Sequence, residues 1–194
     1  MIQNRAIMKK FLKEMTDEEL WQLFPVILSE HKSYWKDYYN TEKYLLERII
    51  GENIICINHI GSTAIPGLIA KPTIDILMEI SENTDTAQLL HIMEGNGYIY
   101  TPQPKNPAPH MMFMKGYALQ GFEEKVFHVH IRYKGDWDEI HFRDYLLFHP
   151  EVAEVYGLIK LELRQIYEHN RDAYTLAKSD FIKKITKLAR ESGY

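Results

Sequence analysis

The stretch from Ile57 to Met78 holds a Gly61-Ser62 turn, Lys71 and one acid, Asp75, set among β-branched and apolar residues. A carboxylate in a core strand is costly to bury unless something answers its charge. Gly61 lets the backbone bend sharply after a strand, Ser62 offers a hydroxyl and an open amide, and Asp75 can then face both across the turn. That is the chemistry of a phosphate and metal site. Lys71, just before Pro72, can aim a compact ammonium charge at a phosphate; the alternative is a solvated loop lysine. His59, directly before the turn, reads as a bracing histidine. A second group lies in Phe127-His128-Val129-His130-Ile131. Successive strand residues point to opposite faces, so His128 and His130 project together and their apolar neighbours project the other way. The pair suits metal ligation or phosphate contact, or else forms a polar strand face whose half-buried imidazoles are satisfied by neighbours.

Three runs in order carry a family resemblance. They are Asn58-His59-Ile60-Gly61-Ser62-Thr63-Ala64-Ile65-Pro66-Gly67-Leu68 with Ala70-Lys71-Pro72-Thr73-Ile74-Asp75-Ile76; then Phe127-His128-Val129-His130-Ile131; then Phe142-Arg143-Asp144-Tyr145-Leu146 with His149-Pro150-Glu151. Together they resemble the GrpB family, bacterial proteins related to the nucleotidyltransferase superfamily. The resemblance covers roughly residues 25 to 190. It implies an α/β fold with a mixed sheet, a nucleotidyltransferase-like core and a helical C-terminal part.

Superfamily members that transfer nucleotides place two carboxylates at i and i+2 on the strand after the Gly-Ser turn, with a third acid on a neighbouring strand. In this chain Asp75 fills one of those positions, and the other is Thr73 or Leu77 depending on the registration. The third falls on the strand of His128 and His130. The resemblance therefore implies Asp75 as the catalytic carboxylate, with Gly61, Ser62, Lys71 and Arg143 on phosphate and Asp75, His128 and His130 on a metal. Magnesium prefers all-oxygen octahedra, whereas two imidazoles and a carboxylate suit zinc, iron, manganese or nickel. A divalent transition metal is thus the cofactor class these residues point to. Without the resemblance, Arg143 and Asp144 read as an exposed helix pair.

The elements that must position these residues follow an α/β pattern without repeats. A helical extension occupies residues 1–25: Arg5–Met15 reads as one helix, and Thr16-Asp17-Glu18-Glu19 is a capping box that opens another, stopped near Pro25. The sheet core covers 26–135. It begins with a short strand at Val26-Ile27-Leu28 and a helix capped by Ser33, whose apolar face includes Trp35, Leu45, Leu46 and Ile49 and which ends at Gly51. Tyr34, Trp35, Tyr38 and Tyr39 belong to this helix and read as core rather than as a base-stacking platform. Strands follow at Asn53–Ile60 and Thr73–Ile80, a helix at Thr84–Glu94, and strands at Tyr98–Thr101, Met111–Lys115 and Lys125–Tyr133. The proline-rich run 102–109 fits neither regular structure and reads as a flap over one sheet edge. Residues 136–194 are helical: Trp137–Phe148, Pro150–His169 and Arg171–Ser192, with Pro150 at a first helical position and Asn170 as N-cap. This block has to pack on the sheet, or else form a dimer interface and a homo-oligomer.

With 194 residues, 45% hydrophobic and 26% charged, the chain has the size and usage of one globular domain. A net charge of −4 gives no strong signal for nucleic acid. No apolar run approaches the ~18 residues of a membrane span, and no secretion signal is present, so the reading is a cytoplasmic protein. Its one cysteine, Cys56, lies in an apolar run and fits a reducing compartment. The leading functional expectation is a nucleotidyltransferase-related protein that binds a nucleotide or phosphorylated small molecule. Transfer itself would also need an in-line electrophile, stabilised phosphoryl oxygens and an activated acceptor. Two other classes stay open: a non-catalytic binding or folding-assistance module on the same scaffold, and a metal-dependent hydrolase using the His-x-His pair.

Overall fold

The computed structural model describes residues 14–194, so the expected helix Arg5–Met15 lies almost wholly outside the described residues. The capping box is present: Thr16 and Glu19 cap each other's backbone, and α1 (Asp17–Leu23) stops before Pro25. Val26–Leu28 is not a strand. Its backbone is answered elsewhere, Val26 N–H donating to the Glu168 carbonyl at 2.8 Å, and an isolated bridge pairs Ser29 with Ala70. Nor does Ser33 cap the next helix, α2 (Trp35–Ile50). There the Lys32 carbonyl takes the Trp35 amide in a turn, and Tyr34 occupies the cap position without a side-chain hydrogen bond.

Five strands form one mixed sheet in the order β1-β2-β5-β4-β3: β1 (Ile54–Ile60), β2 (Thr73–Ile80), β3 (Ile99–Thr101), β4 (Met111–Ala118) and β5 (Gly121–Tyr133). β1 runs antiparallel to β2, β2 parallel to β5, and β4 antiparallel to both β5 and β3. The hairpin of β4 and β5 extends beyond the expected strands, past a bulge between Lys115 and Tyr117. α3 (Thr86–Gly95) precedes β3, with Asp85 as N-cap accepting from the Ala87 and Gln88 amides.

The strand residues sort onto two faces. Ile57, Ile74, Ile76, Met78, Ile80, Phe127, Val129, Ile131 and Phe113 point to one side, where Trp35, Leu46 and Ile50 of α2 and Leu89 and Met93 of α3 cover them. Each such side chain, fully buried, contributes about 1.5–3 kcal/mol. The opposite face carries Asp75, His128 and His130. The C-terminal helices lie over it: α4 (Asp138–Phe148), α5 (Pro150–Tyr167), α6 (Arg171–Ala177) and α7 (Ser179–Glu191). This is the mixed-sheet α/β core with a helical C-terminal part that the sequence implied. A second apolar cluster joins this block to the loop after β1, through Ile65, Leu68, Phe142, Leu146, Ala153, Tyr156 and Ile185. The expected single helix Arg171–Ser192 is two, breaking at Lys178. There the Ser179 hydroxyl donates to the Thr175 carbonyl at 3.4 Å, a side-chain bond that competes with the helix ladder and bends it. No helix among the described residues is long and apolar enough to cross a membrane.

Two buried acids fix the layers to each other. Glu79 of β2 accepts from Gly135 N–H at 2.8 Å and Trp137 Nε1 at 3.1 Å, anchoring the start of the helical part to the sheet. Glu42 of α2, 5% exposed, accepts from the Tyr98 hydroxyl at 2.5 Å and Lys115 Nζ at 2.6 Å. Removing one partner of such a pair strands the other, so Glu42→Ala is expected to cost about 3 kcal/mol, the lower end of the range because Lys115 keeps some solvent. Urea denaturation checks this: the midpoint should fall with the slope unchanged. A midpoint within error of wild type would mean the triad does not hold α2 to β4.

Candidate functional site

The register of the sheet builds the site. Asp75 is paired with Ile60 across β1 and with His128 across β5, and His128 is paired with Met114 on β4. One row further, Leu77, His130 and Met112 line up on the same face. Asp75 Oδ1 lies 3.3 Å from His128 Nδ1 and 3.9 Å from His130 Nε2, the first within hydrogen-bond range with slack and the second an ion-pair distance. On its far side His128 Nε2 meets the Tyr117 hydroxyl at 2.6 Å, and that oxygen accepts from Arg171 Nη2 at 3.2 Å. Burial alone would raise the Asp75 carboxyl, but the two imidazoles beside it outweigh that and hold it well below the usual carboxylate range.

Gly61 closes the site from the β1 end. Its φ is 69°, and a Cβ there would stand 2.5 Å from Asp75 Oδ2, so any side chain would both strain the backbone and push the carboxylate aside. Behind the turn, His59 Nε2 meets Thr63 Oγ1 at 3.0 Å, and that hydroxyl donates to the Thr73 carbonyl at 3.1 Å. Burial pushes the His59 imidazole down to about 4, so it braces the loop as a neutral ring stacked on Tyr39.

The cavity that holds Asp75 also carries cations on its lining. Lys160 of α5 is 2% exposed, and its Nζ donates to Ser62 Oγ at 3.1 Å and to the Ile69 carbonyl. It reaches there because Gly157, one turn earlier, lets α5 pack closely: a Cβ would come 3.3 Å from Ile69 Cγ2. Lys178 Nζ sits 4.3 Å from the centre of the Tyr174 ring, and Lys71 Nζ lies 5.7 Å from the same ring. Burial lowers Lys160 and Lys178 to about 7 and Lys71 to about 8. Lys178 and Lys71 push Lys160 down further, Lys71 does so for Lys178 and Arg171 for Lys71, while Asp75 pulls Lys71 and Lys178 back up. These groups line one cavity of about 1280 Å³ together with Gly61, Ser62, Asp75, His128, His130 and Arg171. Pro102 and His110, at the two ends of the proline-rich loop, also border it.

Of the sequence-predicted residues, the structure brings Gly61, Ser62, Lys71, Asp75, His128 and His130 to this cavity. It does not bring Arg143. That guanidinium donates to the His59 carbonyl at 3.0 Å, to Asn58 Oδ1 at 3.4 Å and to Asp144 Oδ1 at 2.7 Å, so it ties α4 to the end of β1 and is not among the lining residues. Sequence reasoning missed Lys160, Lys178, Arg171, Tyr117 and Tyr174. One signal was available: Ala153, Tyr156, Gly157 and Lys160 form the buried stripe of α5, and a lysine at a core position of such a stripe needs a reason.

The chemistry open to this arrangement is narrow. Two magnesium ions need oxygen ligands from several acids, and the positions flanking Asp75 are Thr73, whose carbonyl is engaged by Thr63, and the fully buried Leu77. A two-magnesium centre therefore does not fit. One carboxylate with two imidazoles fits a single softer cation, and the lysine wall fits an anion.

Comparison with known proteins places this geometry in a family. The model of the GrpB protein family matches residues 25–188. The glutamate-rich protein GrpB of Alkalihalophilus pseudofirmus is 35% identical over 164 residues, covering 82% of this chain and 93% of that one. YqkA of Bacillus subtilis is 34% identical over 161 residues; that alignment takes in 81% of this chain but only 45% of YqkA, so the chain spans under half of that relative. The crystal structure of GrpB from Enterococcus faecalis overlays with a TM-score of 0.74 at 32% identity, covering 86% of this chain and 98% of that one. The chain belongs to the GrpB family.

Proposed function

We propose that the cavity binds the phosphates of a nucleotide or another phosphorylated small molecule, with Lys71, Lys160, Lys178 and Arg171 as the anion-binding wall and the Gly61-Ser62 turn as its floor. The observation that carries this reading is that those four cations line one cavity together with Asp75 and the Gly61-Ser62 turn. Burying unpaired ammonium groups destabilises a fold, and a bound anion would remove the penalty. The net charge of the whole chain is −4, so this cationic wall is a local construction rather than a general property of the surface.

Thermal shift with nucleoside triphosphates, inorganic triphosphate and sugar phosphates tests the reading. A ligand at roughly 100 times its Kd stabilises by about 2.7 kcal/mol, a shift of several degrees. Lys160→Met and Lys178→Met should each weaken binding by roughly 10- to 100-fold, the cost of one charged hydrogen bond. No shift with any of these compounds would favour the non-catalytic module instead.

The titration of the lysines sets the pH dependence. Below about 7 all three are charged in the free protein; above about 8 they are neutral and must each regain a proton to hold an anion. Affinity for inorganic triphosphate should therefore fall as pH rises past about 8, by about tenfold per pH unit for each proton taken up. Calorimetry in buffers of different ionisation enthalpy should record that proton uptake. The unliganded protein moves the other way, gaining stability from about pH 7 towards the unfolded lysine value, because over that range the unfolded chain binds more protons. A pH-independent affinity would mean that the lysines do not face the ligand.

Asp75 is the carboxylate a transferase would need, yet Thr73 and Leu77 stand where its paired acid would be. We expect ligand binding without magnesium-dependent nucleotide transfer, measured with labelled nucleoside triphosphates over a range of acceptors. Robust transfer that disappears in Asp75→Asn would overturn this and make the chain a transferase with a reduced acid set.

A further inference from the structure

We propose that Asp75, His128 and His130 form a site for one divalent transition-metal ion, open on the side that faces the lysine wall. Among the described residues this is the group in which three such side chains each bring a ligand atom within 4.8 Å of the others. Bonds of about 2.0–2.2 Å around one ion require ligand atoms roughly 3–4 Å apart. The separations from Asp75 Oδ1, 3.3 Å to His128 Nδ1 and 3.9 Å to His130 Nε2, meet that requirement.

Two further observations distinguish the set from a chance cluster. The three residues sit on neighbouring strands whose parallel register places Asp75 opposite His128, so they are held by the sheet and not by loops. The nitrogen of His128 not turned to Asp75 is bound at 2.6 Å by Tyr117, itself braced by Arg171 at 3.2 Å. A partner on the outer nitrogen is what fixes the tautomer and orientation of a metal-bound histidine. A plain ion pair between Asp75 and one imidazole would need neither the second histidine nor this brace. The all-oxygen preference of magnesium excludes it as the occupant, and the two imidazoles favour cobalt, zinc, nickel or manganese.

Three protein ligands leave coordination positions free, in a cavity that Lys71, Lys160, Lys178 and Arg171 also line. An ion entering alone would meet these cations. Phosphate oxygens would both complete its coordination and neutralise the wall, so ion and phosphate should bind with positive coupling, each raising the affinity of the other by the same factor. This coupling rests on the phosphate reading above; the three-ligand set does not.

The test is calorimetric titration of Co²⁺ and Mg²⁺ into the full chain, stripped of metal with a chelator, with and without inorganic phosphate. We expect one Co²⁺ per chain, bound more tightly with phosphate present, and no comparable binding of Mg²⁺. Tyr117→Phe should weaken Co²⁺ about 10-fold, the lower end of what losing an outer partner costs. His130→Ala and Asp75→Asn should cost more, and the visible absorption of bound Co²⁺ should vanish with them while circular dichroism stays that of the folded protein. His130 is partly exposed, so its truncation leaves the core intact. Equal Co²⁺ affinity in wild type, His130→Ala and Asp75→Asn, Mg²⁺ binding as tight as Co²⁺, or no Co²⁺ binding in either buffer would each overturn the proposal. Ligand-dependent Co²⁺ binding that ignores phosphate would uphold the ion site and count against the phosphate reading.

Discussion

The parallel pairing of β2 with β5 is the constraint on which the site depends. Parallel strands cannot be joined by a tight turn, so the chain must pass through α3, β3 and β4 before β5 can lie beside β2. That crossover sets Asp75 directly opposite His128, with His130 one row on and on the same face. A slip of one residue in β2 would turn Asp75 into the apolar layer under α2 and α3, and a slip in β5 would do the same to His128 and His130. The register is held by that layer: Ile74, Ile76 and Met78 alternate with the site positions on β2, as Phe127, Val129 and Ile131 do on β5. The core therefore fixes the geometry of the site without touching it.

Charge explains how the helical part is used. The sheet supplies one carboxylate and two imidazoles; the C-terminal helices supply Lys160, Arg171 and Lys178. An ammonium at a helix core position, as Lys160 is, loses its hydration and regains the Ser62 hydroxyl, the Ile69 carbonyl and the Tyr156 ring face at 4.6 Å, all of them neutral. Among the described residues no carboxylate acts on it. Arg171 sits in the first turn of its helix, where a cation is disfavoured by the helix dipole. Both placements run against local preference, and such conflicts concentrate where function and not stability chooses the residue.

The sheet was legible in the sequence because its signals are local. Alternation placed β2 to the residue and put His128 and His130 on one face, and the Thr16–Glu19 box marked α1. What escaped was set by partners distant in sequence. Val26–Leu28 has the apolar content of a strand, but its amide goes to Glu168, and no window around it contains that information. Arg143 lies in a motif and has the right charge for phosphate, yet the carbonyl of His59 takes it. Lys178 and Arg171 carry no periodic signature, and only the fold shows that they share a wall with Lys71. Lys160 could have been found from its position in the stripe of α5, where every neighbour is apolar or small.

The absence of an acid two residues to either side of Asp75 is itself structural. Thr73 is 8% exposed, so an acid there would lose most of its hydration. Leu77 has no exposed surface, so an acid there would lose all its hydration. A carboxylate at either position would carry a desolvation cost that only a bound cation could offset. Histidine avoids this cost because a neutral imidazole can be buried and still ligate. Asp75 is the acid that the sheet sets beside the two imidazoles, and Lys71, Lys160, Arg171 and Lys178 line the same cavity. Such a site gains most from a ligand that brings several negative charges at once, which is what a phosphate chain provides.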